Sequence, residues 1–120
     1  MTWKYSQSSG WLSRNGDNVA EGYSGAGDGK NNPAMQDVHN VGPIPVGNYT
    51  IEAPIDTKTH GPYVLHLTPD QENEMFGRSG FLIHGDSVVQ PGTASEGCMI
   101  FSRTIRERVW DSGDRQLEVI

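Results

Sequence analysis

Apolar and polar residues alternate along this chain in short runs, broken every few positions by glycine, proline or asparagine. Asn48-Tyr49-Thr50-Ile51-Glu52 has the period of two expected of a half-buried strand, whose successive side chains point to opposite faces. Tyr63-Val64-Leu65-His66-Leu67 alternates less cleanly, with His66 turned to solvent. Gly80-Phe81-Leu82-Ile83 is more uniformly apolar, as a central strand covered on both faces would be. Met99-Ile100-Phe101 predicts another buried piece, and Gln116-Leu117-Glu118-Val119-Ile120 a closing strand. Trp11 to Arg14 and Asp17 to Ala20 flank Asn15-Gly16, a two-residue hairpin signal because both turn positions need positive φ.

Helical spacing is confined to the last quarter. Ser102 is placed to cap a helix carrying Ile105 and Val109, and Asp111-Ser112-Gly113 stops it. A second short helix is expected over Pro69 to Phe76. Gly22 to Asn32 is the longest irregular stretch. It fails the phosphate-loop pattern, because Ser24 stands where the first glycine belongs and Asn31 where a metal-binding Ser or Thr belongs. A structural glycine-rich loop near the substrate is the reading it leaves. Gly42-Pro43-Ile44-Pro45-Val46-Gly47 is a rigid extended connector. These elements predict a mainly β fold with one or two short helices, occupying 1–120 as a single domain.

Charge narrows the partners. With 15 acidic against 9 basic residues and a formal charge of -6, the chain lacks the basic surface that nucleic acid or an anionic membrane demands. No apolar stretch is long enough for a membrane span. Met1 to Gln7 lacks the basic-then-apolar order of a signal peptide, so any action outside the cytoplasm is expected to depend on another route.

The candidate chemistry lies in one segment. His84 ends the central apolar run, and the only cysteine, Cys98, follows fourteen positions later. A lone cysteine forms no internal disulfide. It attacks as thiolate, which a free pKa of about 8.5 makes scarce at neutral pH without a nearby base. If the intervening residues fold back, His84 is that base. On spacing alone, nucleophile and buried core filler remain level readings of Cys98. Gly97 permits close approach of backbone or substrate, and the amides of Gly97 and Cys98 are candidates for an oxyanion hole. Ser95 is a candidate to orient the imidazole or bind substrate. Asp86 and Ser87 either hold their loop through turn-type bonds or meet substrate. Arg103 either reaches a substrate carboxylate or faces water. Glu96 is expected to point away from a catalytic thiol, since an adjacent anion opposes its ionisation. His39, His60 and His66 have no comparable partner in sequence. A zinc site built on His84, Cys98 and Asp86 lacks close ligand pairs, so no metal or other cofactor is expected.

His84-Gly85 followed by Ser95-Glu96-Gly97-Cys98 resembles the L,D-transpeptidase motif, with a shorter spacing and with Glu96 in place of a second histidine. Gly22-Tyr23-Ser24-Gly25, Lys30-Asn31-Asn32-Pro33, Gly42 to Tyr49 and Phe81 to Ser87 narrow the likeness. Together they resemble the type VI secretion L,D-transpeptidase effector family over nearly the whole chain.

The resemblance implies an L,D-transpeptidase-like β-rich catalytic domain. It implies an antibacterial cysteine L,D-carboxypeptidase or L,D-transpeptidase that removes or exchanges the terminal D-alanine of peptidoglycan stem tetrapeptides. Cys98 would form the acyl-enzyme and His84 would take its proton, with Gly97 and Ser95 in support. Tyr23, Asp86, Ser87 and Arg103 would meet substrate. The family further implies a cognate immunity protein, type VI secretion components and action in the periplasm of target cells. The shorter loop implies a more open cleft. The competing reading is a non-catalytic cell-wall or protein-binding module on a degenerate enzyme scaffold, motivated by Glu96.

Overall fold

A computed structural model describes residues 2–120. Among them the chain forms β1 (Thr2–Tyr5), β2 (Trp11–Arg14), β3 (Asp17–Glu21), β4 (Tyr23–Ser24), β5 (Gly47–Ile51), β6 (Ile55–Thr57), β7 (Gly61–Pro69), β8 (Leu82–His84) and β9 (Met99–Ile100). The helix α1 (Arg103–Asp111) and β10 (Gln116–Val119) complete it, with 3-10 turns at Gly27–Gly29 and Pro33–Met35. Asn15 and Gly16 carry φ of 56° and 81°, and the hairpin they turn joins β2 to β3.

The strands lie in the order β3-β2-β1-β10-β5-β7-β8-β9-β4, with β6 pairing separately to β7. Two pairings are parallel, β1 with β10 and β8 with β9; the others are antiparallel. Trp3 and Tyr5, Tyr49 and Ile51, and Leu117 and Val119 each bury alternate positions of a strand, as period two requires. Leu82, Ile83 and His84 are all buried, as expected of a central strand. The core they build also takes in Leu65, Phe81, Met99, Phe101 and Val109.

Helix α1 begins where sequence places it, with Ser102 Oγ accepting the Ile105 N–H at 3.3 Å. It packs its Arg106 and Val109 side against β7 and β8. Gly113, at φ 81°, turns the chain out toward β10.

The helix expected over Pro69 to Phe76 does not form. β7 runs on through Pro69, and Asp70 closes a turn by accepting the Glu72 N–H on Oδ1 and the Asn73 N–H on its carbonyl. Asn73 then reaches back to both backbone groups of Asn48. Short polar side chains that bond backbone in this way compete with helix formation. The mainly β fold therefore has one α-helix, not two. No helix among the described residues is long and apolar enough to cross a membrane.

Candidate active site

The parallel register of β8 with β9 pairs Ile83 with Met99 and His84 with Ile100. Continued one step back, it sets Cys98 alongside Leu82. His84 lies two positions further along β8, and side chains two apart share a sheet face. His84 and Cys98 both line one cavity of about 1000 Å³. No hydrogen bond joins the sulfur to the imidazole among the described residues. Each is held by backbone: Sγ lies 3.9 Å from the Gly80 carbonyl, and His84 Nδ1 lies 2.8 Å from the Gly85 carbonyl.

A carbonyl only accepts, so Nδ1 carries the ring proton and Nε2 presents a lone pair. His84 is 2 % exposed, and burial holds its pKa below the usual histidine value. The nearby charges of His60 and Arg106 push the same way, while the Gly85 carbonyl and Asp86 oppose them. The imidazole is therefore neutral, and able to act as a base, to lower pH than a free one. The half-buried Cys98 thiol moves the other way, pushed up to about 11, chiefly by burial and further by Glu96. The Leu82 N–H and Arg78 oppose that shift. With the thiol pKa raised and the imidazole pKa lowered, both groups are neutral at rest in the cavity they share.

Ser95 is 1 % exposed, and its hydroxyl is fully used. It donates to the Cys98 carbonyl at 2.6 Å and accepts the N–H groups of Gly25 at 2.9 Å and Gly97 at 3.0 Å. Ser95 therefore braces the loop that carries Cys98; none of its hydroxyl bonds goes to His84, and it does not line the cavity. The same bond commits the Gly97 amide, which removes it as an oxyanion donor and leaves the Cys98 amide as the candidate. Gly97 is required for another reason. Its φ is 136°, and a Cβ there would sit 2.5 Å from Arg78 Nη2 and 2.9 Å from the Phe81 ring. The glycine-rich stretch serves this loop from behind: Ser24 Oγ donates to the Gly97 carbonyl at 2.7 Å and accepts the Ile44 N–H.

Two buried arginines frame the cavity. Arg78 donates to the carbonyls of Gln36 and Pro43 through Nη1, and to those of Gly42 and Glu96 through Nη2. It thereby ties the Gly42-Pro43 connector to the loop that carries Cys98. Arg106 donates to the carbonyls of Pro62, Tyr63 and Phe101. Sequence reasoning missed both, since nothing local marks an arginine that will be buried on distant carbonyls. It also missed His60, whose ring lies 4.5 Å from that of His84.

The remaining candidates separate. Asp86 lines the cavity, but its carboxylate is spent on Tyr23 OH at 2.5 Å and on the amides of Ser87 and Gly92. Tyr23 OH also accepts the Ala94 N–H, so Tyr23 laces residues 86–94 and does not line the cavity. Ser87 lines it. Arg103 does not: it faces Glu107 at 3.6 Å and lies over the Tyr63 ring. Glu96 is exposed and lines the cavity, so it does not point away from the thiol. No group of three or more His, Cys, Asp or Glu side chains among the described residues is placed to hold a metal ion.

The sequence profile of the Tlde1 domain matches residues 18–119. No curated protein matches the sequence. Among solved structures, an L,D-transpeptidase (Yku) from Stackebrandtia nassauensis is similar to this chain, with a TM-score of 0.56 at 14 % identity. The match covers 99 % of this chain and 54 % of that one, so this chain spans about half the length of that structure. At such identity the likeness is one of fold.

Proposed function

The chain belongs to the Tlde1 domain family, the type VI secretion L,D-transpeptidase effectors, and on that premise we propose that residues 1–120 are one catalytic domain that edits peptidoglycan stem peptides through Cys98. The observation that carries the reading is the placement of His84 and Cys98 on one face of the β8–β9 pair, open to one cavity. In the proposed reaction His84 Nε2 takes the thiol proton as Sγ attacks the carbonyl of the diamino acid, and the Cys98 amide faces the developing oxyanion. The C–N bond to the terminal D-alanine then breaks, and the proton held on His84 leaves with the amine. Water hydrolyses the thioester, giving one proton back to sulfur by way of His84, so the product is a tripeptide. An amino acid in place of water gives exchange. A thiol pKa near 11 requires this proton transfer during attack, because little thiolate stands ready beforehand.

By the same reasoning, the partners are a stem peptide as substrate, a cognate immunity protein and the type VI secretion components, with action in the periplasm of target cells. The test is to digest tetrapeptide muropeptides and follow release of D-alanine by mass. Release that disappears in Cys98→Ala supports the assignment, and release that persists ends it. One observation favours a second reading, that of a non-catalytic binding module: Glu96 beside the thiol raises its pKa. Absence of any cleavage, with muropeptides still bound, would favour that module.

A further inference from the structure

Four formally charged side chains line the cavity besides its histidines: Arg78, Asp86, Glu96 and Arg106. Three are already committed. Arg78 holds four backbone carbonyls and Arg106 three. Asp86 holds a phenol and two amides. The Glu96 carboxylate is different, with no hydrogen bond or ion pair to its side chain among the described residues; only its backbone carbonyl is used, by Arg78. It is exposed, two positions before the sulfur. The uncommitted charge of this cavity is therefore a single carboxylate beside the reacting atom.

We infer that Glu96 is the recognition point for a primary ammonium group carried by the acyl donor within a residue of the attacked carbonyl. In the stem peptide that Proposed function assigns, this is the side-chain amine of the diamino acid, and the inference rests on that assignment. The charge arrangement gives a reason for keeping an anion where it opposes ionisation of the thiol. An ammonium on Glu96 cancels its field at Cys98, so the thiol loses that opposition only when a correctly charged donor is bound. Arg78 and Arg106 keep their charge on neutral carbonyls and balance Asp86 and Glu96 across the cavity, so the effect of Glu96 is local. It favours a cation and disfavours an anion next to the sulfur, and salt weakens both effects.

Methanethiosulfonate reagents with a cationic aminoethyl tail or an anionic sulfonatoethyl tail test this on the intact protein without any turnover. For Cys98 the cationic reagent should react about tenfold faster than the anionic one, after correction for a small free thiol. The ratio should shrink as salt is raised. Glu96→Gln should abolish or reverse the preference, because Arg78 and Arg106 then outnumber Asp86, and Glu72→Gln, at an exposed position outside the cavity, should keep it. Equal ratios in the wild type and Glu96→Gln overturn the inference. With tetrapeptides, acetylating the side-chain amine should raise KM for D-alanine release in the wild type and leave it unchanged in Glu96→Gln. Equal KM for both peptides in the wild type overturns the assignment to the donor. The reagents read charge at the sulfur whether or not a peptide is cut, so loss of the catalytic reading and loss of the ammonium site are separate results.

Discussion

The ring of His60, at the tip of the β6–β7 hairpin, packs on the ring of His84 with centroids 4.5 Å apart and planes tilted by 47°. The hairpin is built to hold it there, with Thr57 Oγ1 accepting the His60 N–H at 2.9 Å and Thr59 Oγ1 lying 3.0 Å from His60 Nδ1. His60 covers the His84 ring and disfavours positive charge on it.

Both effects hold the His84 pKa down, so removing His60 should raise it. Arg106 from α1 acts in the same sense, while Asp86 and the Gly85 carbonyl act against it. In the wild type the acid limb of kcat/KM should lie below the ordinary histidine range, near pH 6.5. In His60→Ala it should move to higher pH, with activity near pH 6 falling most. His60→Phe keeps the cover without the charge and should restore part of the shift. A pH-rate profile that does not differ between His60→Ala and the wild type would refute this role.

Reaction of Cys98 with the neutral reagent iodoacetamide should be slow at pH 7 and climb toward about pH 11, following the thiol pKa. A plateau near pH 7 would show instead a preformed thiolate. His84→Ala should lower kcat by about 10²–10⁴, the usual worth of a general base. Single-turnover release of D-alanine measures it.

Ser95→Ala leaves the buried amides of Gly25 and Gly97 without acceptors. Each such loss costs roughly 1–3 kcal/mol. Urea unfolding should therefore show a lower midpoint at an unchanged slope, and kcat should fall with it because the Cys98 carbonyl is no longer held. A stable Ser95→Ala variant with full activity would contradict the bracing role.

Gly97→Ala should be worse tolerated than an ordinary surface change. Its φ of 136° alone costs a residue with a Cβ on the order of 1–3 kcal/mol, and the Arg78 guanidinium leaves no room for the methyl. Loss of thermal stability together with loss of activity is the expected result.

Two arginines three positions apart should behave oppositely. Arg103 makes an exposed pair with Glu107, worth about 0.5 kcal/mol or less. Arg103→Gln should leave Tm and activity near wild type. Arg106 is buried on three carbonyls, and Arg106→Gln should lower Tm clearly. Equal losses of Tm, by calorimetry, would contradict this contrast, and an Arg103→Gln variant that keeps its Tm but loses activity would favour Arg103 as a substrate ligand.

Local chemistry in the sequence carried much of this architecture. Asn15-Gly16, the Ser102 cap and the alternation through Tyr49 and Ile51 each act within a few residues, and each is read directly. His84 and Cys98 stand out for the same reason, one ending an apolar run and the other unique, and the β8–β9 register is what brings them to one cavity. What escaped depends on distance along the chain. β1 owes its place to β10 at the other terminus, and Arg78 to carbonyls at positions 36, 42, 43 and 96. His60 meets His84 only because a hairpin folds over. The bonds of Ser95 are illegible for the same reason, since the partners that use up its hydroxyl include Gly25, seventy residues upstream.

Because Arg78 gathers carbonyls from across the chain beside Cys98, the setting of that thiol and foldedness arrive together. A partly unfolded molecule carries an ordinary thiol on a loose segment, with no base and no brace. The D-alanine release proposed above should thus also gauge the native population, and the two should vanish at the same denaturant concentration. A chain wired in this way has no assembled site while extended and gains one only once the last long-range tie has closed.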